Sequence, residues 1–258
     1  MMKPKKSLGQ HFLKSRDALR KIIQAGEISR DDVILEIGPG KGALTEQLLA
    51  FGCQVLAIEK DKELVQYLQE KFEKEIKEKR LILTQGDILK LKIENLKLKI
   101  YKLISNIPYN ITGAILKKFL ADEIQPERMV LLVQKEVAQR ILASEGKESI
   151  LSISVKAYGK PKMAGKVQRR YFSPEPKVDS AIIAITNISR KIFAPTKVGA
   201  PTGVGEERFW EIVKKGFAHK RKKLAGNLKN VVPADKLISF RDKRAEDLTL
   251  NDWIFLAR

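Results

Sequence analysis

The stretch that decides the fold is Val33-Ile34-Leu35-Glu36-Ile37-Gly38-Pro39-Gly40-Lys41-Gly42. A short β-branched run stopped by glycines reads as a strand entering a tight turn. Leu44, Leu48 and Leu49 follow at helical spacing, so the turn opens a helix. Gly38, Gly40 and Ala43 satisfy a loose dinucleotide fingerprint, although an ordinary strand–turn–helix bend has the same appearance in isolation. Working outward, residues 54–58 (QVLAI) form a second strand ending at Glu59. A helix is expected from Asp61, with Leu64, Leu68, Phe72 and Ile76 on one stripe. Residues 81–84 (LILT) give a third strand ending at Gly86-Asp87, and residues 102–105 (KLIS) a fourth ending at Asn106. A helix carrying Ile111, Ile115, Leu116, Phe119 and Leu120 leads to a fifth strand at 129–133. Alternating strands and helices with short connections predict an α/β fold: a Rossmann-like parallel sheet with helices on both faces.

Composition narrows the function classes. The 258 residues carry 50 Lys plus Arg against 31 Asp plus Glu, a formal net charge of +19. With 43% apolar residues the chain can still bury a real core. Such a positive surface calls for a polyanionic partner, nucleic acid or an anionic membrane face. No run of 18 apolar residues is present, so no membrane span is expected. The N-terminus has charge but no apolar h-region of a secretory signal. One cysteine, Cys53, precludes an internal disulfide, and with only His11 and His219 no Cys/His zinc cluster can be built. No metal is expected, and a cytoplasmic setting fits best.

Residues 1–16 form a basic N-terminal segment with Lys3, Lys5, Lys6, Lys14 and Arg16 and no acid. An amphipathic helix with Leu19, Ile22 and Ile23 on one face follows. Residues 160–180 read as extended and basic, including Arg169, Arg170 and Lys177, with irregular backbone forced by Pro174 and Pro176. Residues 181–185 (AIIAI) are expected to be the last strand. Residues 194–205, rich in Pro and Gly, read as a linker or long loop. Phe209, Ile212, Val213 and Phe217 then keep helical spacing. The expected organisation is a catalytic domain over 1–188 and a small helical, basic C-terminal domain over 189–258.

In parallel sheets ligands sit at the carboxyl ends of strands. Gly38, Glu59, Asp87 and Asn106 lie at four successive ends. Glu59, 21 residues after Gly38, can accept two hydrogen bonds from a ribose diol; alone it could equally be a solvated strand-end acid. Asp87 can take the exocyclic amine of adenine, or serve only as a turn or cap residue. Together they favour an adenosine-containing ligand. NAD would require a hydride-handling site, and none is visible. Asn106-Ile107-Pro108-Tyr109 instead suits methylation of an aromatic amine, with S-adenosylmethionine (SAM) as donor. The adenine N6 lone pair is delocalised and a poor nucleophile. The Asn106 side-chain oxygen and a neighbouring backbone carbonyl can accept its two hydrogens and draw the nitrogen toward sp3 geometry. Pro108 stiffens the loop, and Tyr109 offers a face for stacking.

Four motifs in order resemble the KsgA-type ribosomal RNA adenine N6,N6-dimethyltransferases, relatives of the Erm methylases. They are Ser7-Leu8-Gly9-Gln10-His11-Phe12-Leu13, Leu35-Glu36-Ile37-Gly38-Pro39-Gly40-Lys41-Gly42, Asn106-Ile107-Pro108-Tyr109-Asn110 and Phe172-Ser173-Pro174-Glu175-Pro176-Lys177-Val178-Asp179-Ser180. The resemblance covers nearly the whole chain. It implies that His11, Leu13, Gly38, Gly40, Glu59, Asp87 and Asn106 bind SAM. Many relatives have Asn where this chain has His11. It also implies that Asn106, Ile107, Pro108 and Tyr109 form the catalytic loop. Phe172, expected on an exposed loop among Arg169, Arg170, Tyr171 and Pro174, would close a sandwich on the flipped adenine with Tyr109. The implied substrate is two neighbouring adenosines in a small-subunit rRNA loop near the 3′ end, in an assembling ribosomal particle. Residues 214–229, including Lys220, Arg221, Lys222 and Lys223, contain no acid and would belong to the RNA-facing part, with Arg169 and Arg170. A generally Lys-rich, soluble surface would look similar. Nothing demands more than a monomer. An Erm-type enzyme for large-subunit RNA and a non-catalytic assembly factor of the same fold are the competing readings.

Overall fold

The computed structural model describes residues 4–5, 8–143, 145–193, 204–219 and 221–258. Ser7 of the first motif, Lys220 of the basic run and most of the expected linker lie outside the described residues. Two compact units emerge, one from residues 1–138 and 161–188, the other from 139–160 and 189–258. Residues 139–160, expected in the catalytic part, cluster with the second unit, and the chain returns to the first at residue 161.

The first unit begins with β1 (Phe12–Leu13) and α1 (Arg16–Gly26). Ser15 caps α1, its side chain accepting from the Ala18 N–H. Next come β2 (Val33–Ile37), α2 (Ala43–Ala50), β3 (Gln54–Glu59), α3 (Lys62–Lys71), α4 (Glu73–Lys77) and β4 (Leu81–Gln85). The chain continues through β5 (Lys102–Ser105), α5 (Thr112–Ala121), β6 (Arg128–Gln134) and α6 (Lys135–Leu142). After α7 (Ile150–Lys156) of the second unit it completes β7 (Lys160–Val167), β8 (Phe172–Ser173) and β9 (Ser180–Thr186). Seven strands form one sheet in the order β4-β3-β2-β5-β6-β9-β7. Strands β4, β3, β2, β5 and β6 are parallel neighbours, whereas β9 runs antiparallel to β6. The sheet is therefore mixed, and β7 gives regular structure to a stretch that reads only as extended.

Alternate strand residues bury opposite faces. Ile34, Val55, Ala57, Ile104, Val130 and Leu132 share a core cluster with Leu19 and Ile22 of α1 and Leu44 and Leu48 of α2. The opposite set, including Leu35, Ile58, Leu103, Leu131 and Ile183, is buried too, so both faces are covered, as a mainly parallel sheet requires. The expected continuous helix after Asp61 breaks at Phe72, where φ is −116° and ψ 29°. A Cβ placed on Gly42 would lie 2.5 Å from the Phe72 ring. The break lets that ring pack beneath the glycine loop instead of continuing the stripe to Ile76.

In the second unit, α8 (Glu206–Gly216), α9 (Leu224–Leu228), α10 (Ala234–Leu237) and α11 (Leu250–Ala257) surround Phe209, Ile212, Leu224 and Trp253, all fully buried. Gly216 lets α8 approach α11, because a Cβ there would stand 2.4 Å from the Trp253 ring. Thr249 and Asp252 form a capping box at the start of α11.

Candidate active site

A cavity of about 480 Å³ opens at the carboxyl ends of β2, β3, β4 and β5, within the range of small-ligand sites. Gly38, Gly40, Glu59, Asp87, Asn106, Ile107, Pro108 and Tyr109 all line it, as do His11 and Leu13 from the N-terminal motif. The glycine loop is tied down by Gly38 N–H donating to the Ile58 carbonyl at 2.8 Å and Gly42 N–H to Pro39 at 2.9 Å. Gly38 has φ +67°, a conformation glycine adopts without strain, and the nearest atom to a Cβ there is Pro108 Cδ at 3.7 Å. The backbone of the loop is thus open to a ligand from that side.

Glu59 is 5% exposed. Its Oε2 accepts from Gly40 N–H at 3.1 Å and its Oε1 from Asp61 N–H at 2.9 Å. Burial raises its pKa, against the pull of backbone N–H groups of Asp61, Gly40 and Lys60. The carboxylate keeps further acceptor capacity, which suits a ribose hydroxyl. Asp87 takes the turn role while lining the cavity. One oxygen accepts from Leu89 N–H at 3.0 Å, closing the turn, and the other pairs with Lys60 at 3.0 Å. The Lys60 ammonium holds its carboxyl below the usual range.

Asn106 donates from Nδ2 to the His11 main-chain carbonyl at 3.2 Å. That bond fixes the amide orientation and leaves Oδ1 as the acceptor. Just before it, Ser105 donates to the Ile37 carbonyl at 2.5 Å, locking the ends of β5 and β2 together. Ile107 is buried and carries the loop. The Tyr109 hydroxyl lies 2.6 Å from the buried Ser180 hydroxyl, and burial raises its pKa despite that bond. Strand β1 pairs antiparallel with β8, Phe12 opposite Ser173 and Leu13 opposite Phe172, which brings the first and last motifs together at the cavity.

Phe172 requires a correction. Expected on an exposed loop, it is 3% exposed, belongs to the core cluster and is not among the cavity's lining residues. Pairing with Leu13 turns its ring inward, and Ser173 reaches the cavity instead. The ring against Tyr109 is His11, with centroids 5.6 Å apart and planes 18° from parallel.

Sequence reasoning missed three supporting residues. Glu36 is 1% exposed and accepts from the Thr45 hydroxyl at 2.7 Å. Burial pushes its carboxyl up to about 8, opposed by the Thr45 bond and assisted by the charge on Glu59. Asp61 caps α3 and accepts from Lys5 Nζ at 2.7 Å and Gln10 Nε2 at 3.0 Å, anchoring the N-terminal motif beside β3. Burial works to raise its pKa, but those bonds hold it below the ordinary value. Ser180 orients Tyr109. Its place in the last motif and the acid in the glycine motif were the available signals, but neither reveals its partner.

Arg169 and Arg170 are not among the residues that line the cavity. Arg169 and Arg170 occupy an exposed turn in the first unit, Arg169 paired with Glu175 at 2.9 Å and Arg170 lying over Tyr171 at 5.2 Å. Arg221, Lys222 and Lys223 are exposed in the second unit, and Lys223 pairs with Asp242 at 2.5 Å.

Comparison with known proteins accords with this geometry. Residues 1–253 match the family described as Ribosomal RNA adenine dimethylase. The chain belongs to that family. Ribosomal RNA small subunit methyltransferase A of Dehalococcoides mccartyi (strain CBDB1) is 39% identical, covering 98% of this chain and 87% of the relative. A dimethyladenosine transferase from Plasmodium falciparum superposes with TM-score 0.79 at 28% identity, over 95% of this chain and 96% of that one. The 23S rRNA methyltransferase ErmE gives TM-score 0.75 at 25% identity, over 95% and 97%. The fold is that of this methyltransferase family: a Rossmann-like sheet with C-terminal helices.

Proposed function

We propose that this protein transfers methyl groups from SAM to the N6 amines of two adjacent adenosines in a loop near the 3′ end of small-subunit rRNA. It acts as a monomer on an assembling ribosomal particle in the cytoplasm. No helix among the described residues is long and apolar enough to cross a membrane. The observation that carries the reading is the single cavity joining the glycine loop, Glu59 and an Asn106 whose Nδ2 is already committed to the His11 carbonyl.

The residues fit SAM. Gly38 leaves backbone open to it, Glu59 has acceptor capacity for the ribose hydroxyls, and Asp87 is held anionic to receive an exocyclic amine. When bound, SAM supplies a methyl already activated on a sulfonium. The chain then has only to position the nucleophile in line, which accounts for most of such catalysis. Asn106 Oδ1 accepts one N6 hydrogen and a carbonyl of the Asn106–Tyr109 loop the other, drawing the amine out of conjugation. Tyr109, fixed by Ser180, stacks on the base. Extrusion of the base costs a few kcal/mol, least for an unpaired loop. Arg169, Arg170, Arg221, Lys222 and Lys223 hold phosphates, joined by Lys220 on sequence grounds.

Transfer of labelled methyl to immature small subunits, compared with protein-free large-subunit RNA, tests the reading. Label on adjacent small-subunit adenosines is expected. Label on large-subunit RNA alone would mark an Erm-type enzyme, and RNA binding without transfer to either would mark an assembly factor.

A further inference from the structure

Asp61 is 5% exposed, yet it is not among the residues that line the cavity. Capping α3 needs one acceptor, and Asp61 Oδ1 supplies it to the Glu63 N–H at 3.1 Å. A cap alone does not call for a buried carboxylate, which needs close partners of its own. Those partners come from the N-terminal segment, 51 and 56 positions away. Gln10 Nε2 donates to Asp61 Oδ2 at 3.0 Å, and Lys5 Nζ to Oδ1 at 2.7 Å. Gln10 Oε1 in turn accepts from the Lys5 main-chain N–H at 2.8 Å. Lys5, Gln10 and Asp61 thus close a ring of hydrogen bonds.

The ring ends one residue before the group that holds Asn106. The His11 carbonyl accepts from Asn106 Nδ2 at 3.2 Å. The next two residues, Phe12 and Leu13, pair with β8. Residues 8–13 therefore form a strap tied on both sides of His11. A peptide unit is planar and turns only about the bonds that flank it. With Gln10 held on one side and Phe12 on the other, the direction of the His11 carbonyl is restrained. A two-residue ladder without the upstream tie leaves it free to tilt. The Asp61 main-chain N–H also donates to Glu59 Oε1 at 2.9 Å, so one residue borders both the ribose acceptor and the strap.

We propose, on the methyl-transfer reading above, that Asp61 is a positioning residue for the transfer step: its carboxylate clamps Gln10 and Lys5, the clamp fixes the His11 carbonyl, and that carbonyl sets the Asn106 amide. Asp61 itself stands outside the cavity and acts only through the strap. The strap also carries the donor contacts implied for His11 and Leu13. Opening the clamp therefore weakens SAM binding as well as slowing transfer.

Transfer of labelled methyl to immature small subunits by the full chain, at saturating SAM and RNA, separates the transfer step from that loss of affinity. Asp61→Asn keeps the cap on α3 but turns an amide N–H2 toward the Gln10 Nε2 donor. Gln10→Ala opens the clamp without touching α3. Each is expected to lower kcat about 10–100-fold, the size of an ångström-scale misplacement arising away from the chemistry. SAM affinity, measured by calorimetry, is expected to fall in both. In an Asn106→Ala background neither change is expected to lower single-turnover transfer by more than about twofold, because no amide is left to position. A role in the helix cap or in general stability would cost the same factor in both backgrounds.

Hydrogen exchange read by mass spectrometry follows the clamp directly. Residues 8–13 are expected to exchange faster in both variants, with α3 unchanged from the parent. Equal losses with and without Asn106 overturn the proposal. So does an unaltered kcat beside weakened SAM binding, or faster exchange in α3 alone. If Asp61→Asn fails to fold, Gln10→Ala carries the same test. Absence of transfer by the parent protein to any RNA removes the underlying reaction as well. Normal parent turnover with indifferent Asp61→Asn and Gln10→Ala removes the clamp alone.

Discussion

The cavity rim of the first unit and the basic surface of the second use polar residues in opposite ways. On the rim each group is held by a partner far away in sequence: Asn106 by His11, Tyr109 by Ser180, Glu59 by Gly40. In the second unit Arg221 and Lys222 stand in solvent, and Lys223 meets only an exposed Asp242. Reaction geometry has to be fixed before substrate arrives, because a misplacement of an ångström costs rate. Attraction of a polyanion needs only charge density, which survives mobile side chains.

The contrast predicts large effects for single substitutions on the rim and small ones for single substitutions on the basic surface. Asn106→Ala is expected to lower kcat by about 10²–10³-fold, the size of losing one preorganised hydrogen bond to a transition state, with SAM binding still measurable by calorimetry. Full turnover would end the amine-activation role. Glu59→Ala removes the ribose acceptor and strands the Gly40 and Asp61 N–H groups. At ~1.5–3 kcal/mol for a charged hydrogen bond, SAM affinity is expected to drop roughly 10–100-fold, with much less effect on RNA binding in a filter assay.

Glu36 sharpens the comparison through pH. Its folded pKa of about 8 lies above the ordinary 4.5, so its carboxyl favours the folded state fully below pH 4.5. That contribution fades as pH rises through 8, by up to ~1.4 kcal/mol per pH unit. Denaturation of Glu36→Gln against the parent is expected to show the parent losing relative stability between those limits. A constant difference would mean that Glu36 is ionised in the folded protein. The smallest single-site effects belong to the basic surface. Neutralising Arg221, Lys222 and Lys223 together is expected to weaken RNA binding at fixed salt and to flatten the log–log salt slope by about 2. An unchanged slope would place the phosphate contacts elsewhere.

The strand pattern, the glycine loop and the acids at strand ends were legible because they follow from local periodicity and turn chemistry. Helix α3 was legible in its start and not in its end. Phe72 continues the apolar stripe in sequence, but its ring is claimed by the space under Gly42. Phe172 misled for a related reason. A run containing Arg169, Arg170 and Pro174 looks like surface, and only pairing with Leu13, across the whole unit, sends that ring inward. The excursion of 139–160 into the second unit has no local marker at all.

The sequence by itself determined the alternation of strands and helices, the family, the donor class and the residues from which the site is drawn, since each depends on neighbours within a few positions. Tertiary structure decided that Asn106 donates from Nδ2 to the His11 carbonyl, which ring faces Tyr109, and that Glu36 is buried deeply enough to hold its proton. Those outcomes depend on packing and hydrogen bonds between segments about 10 to 160 positions apart, and local residue order does not encode them.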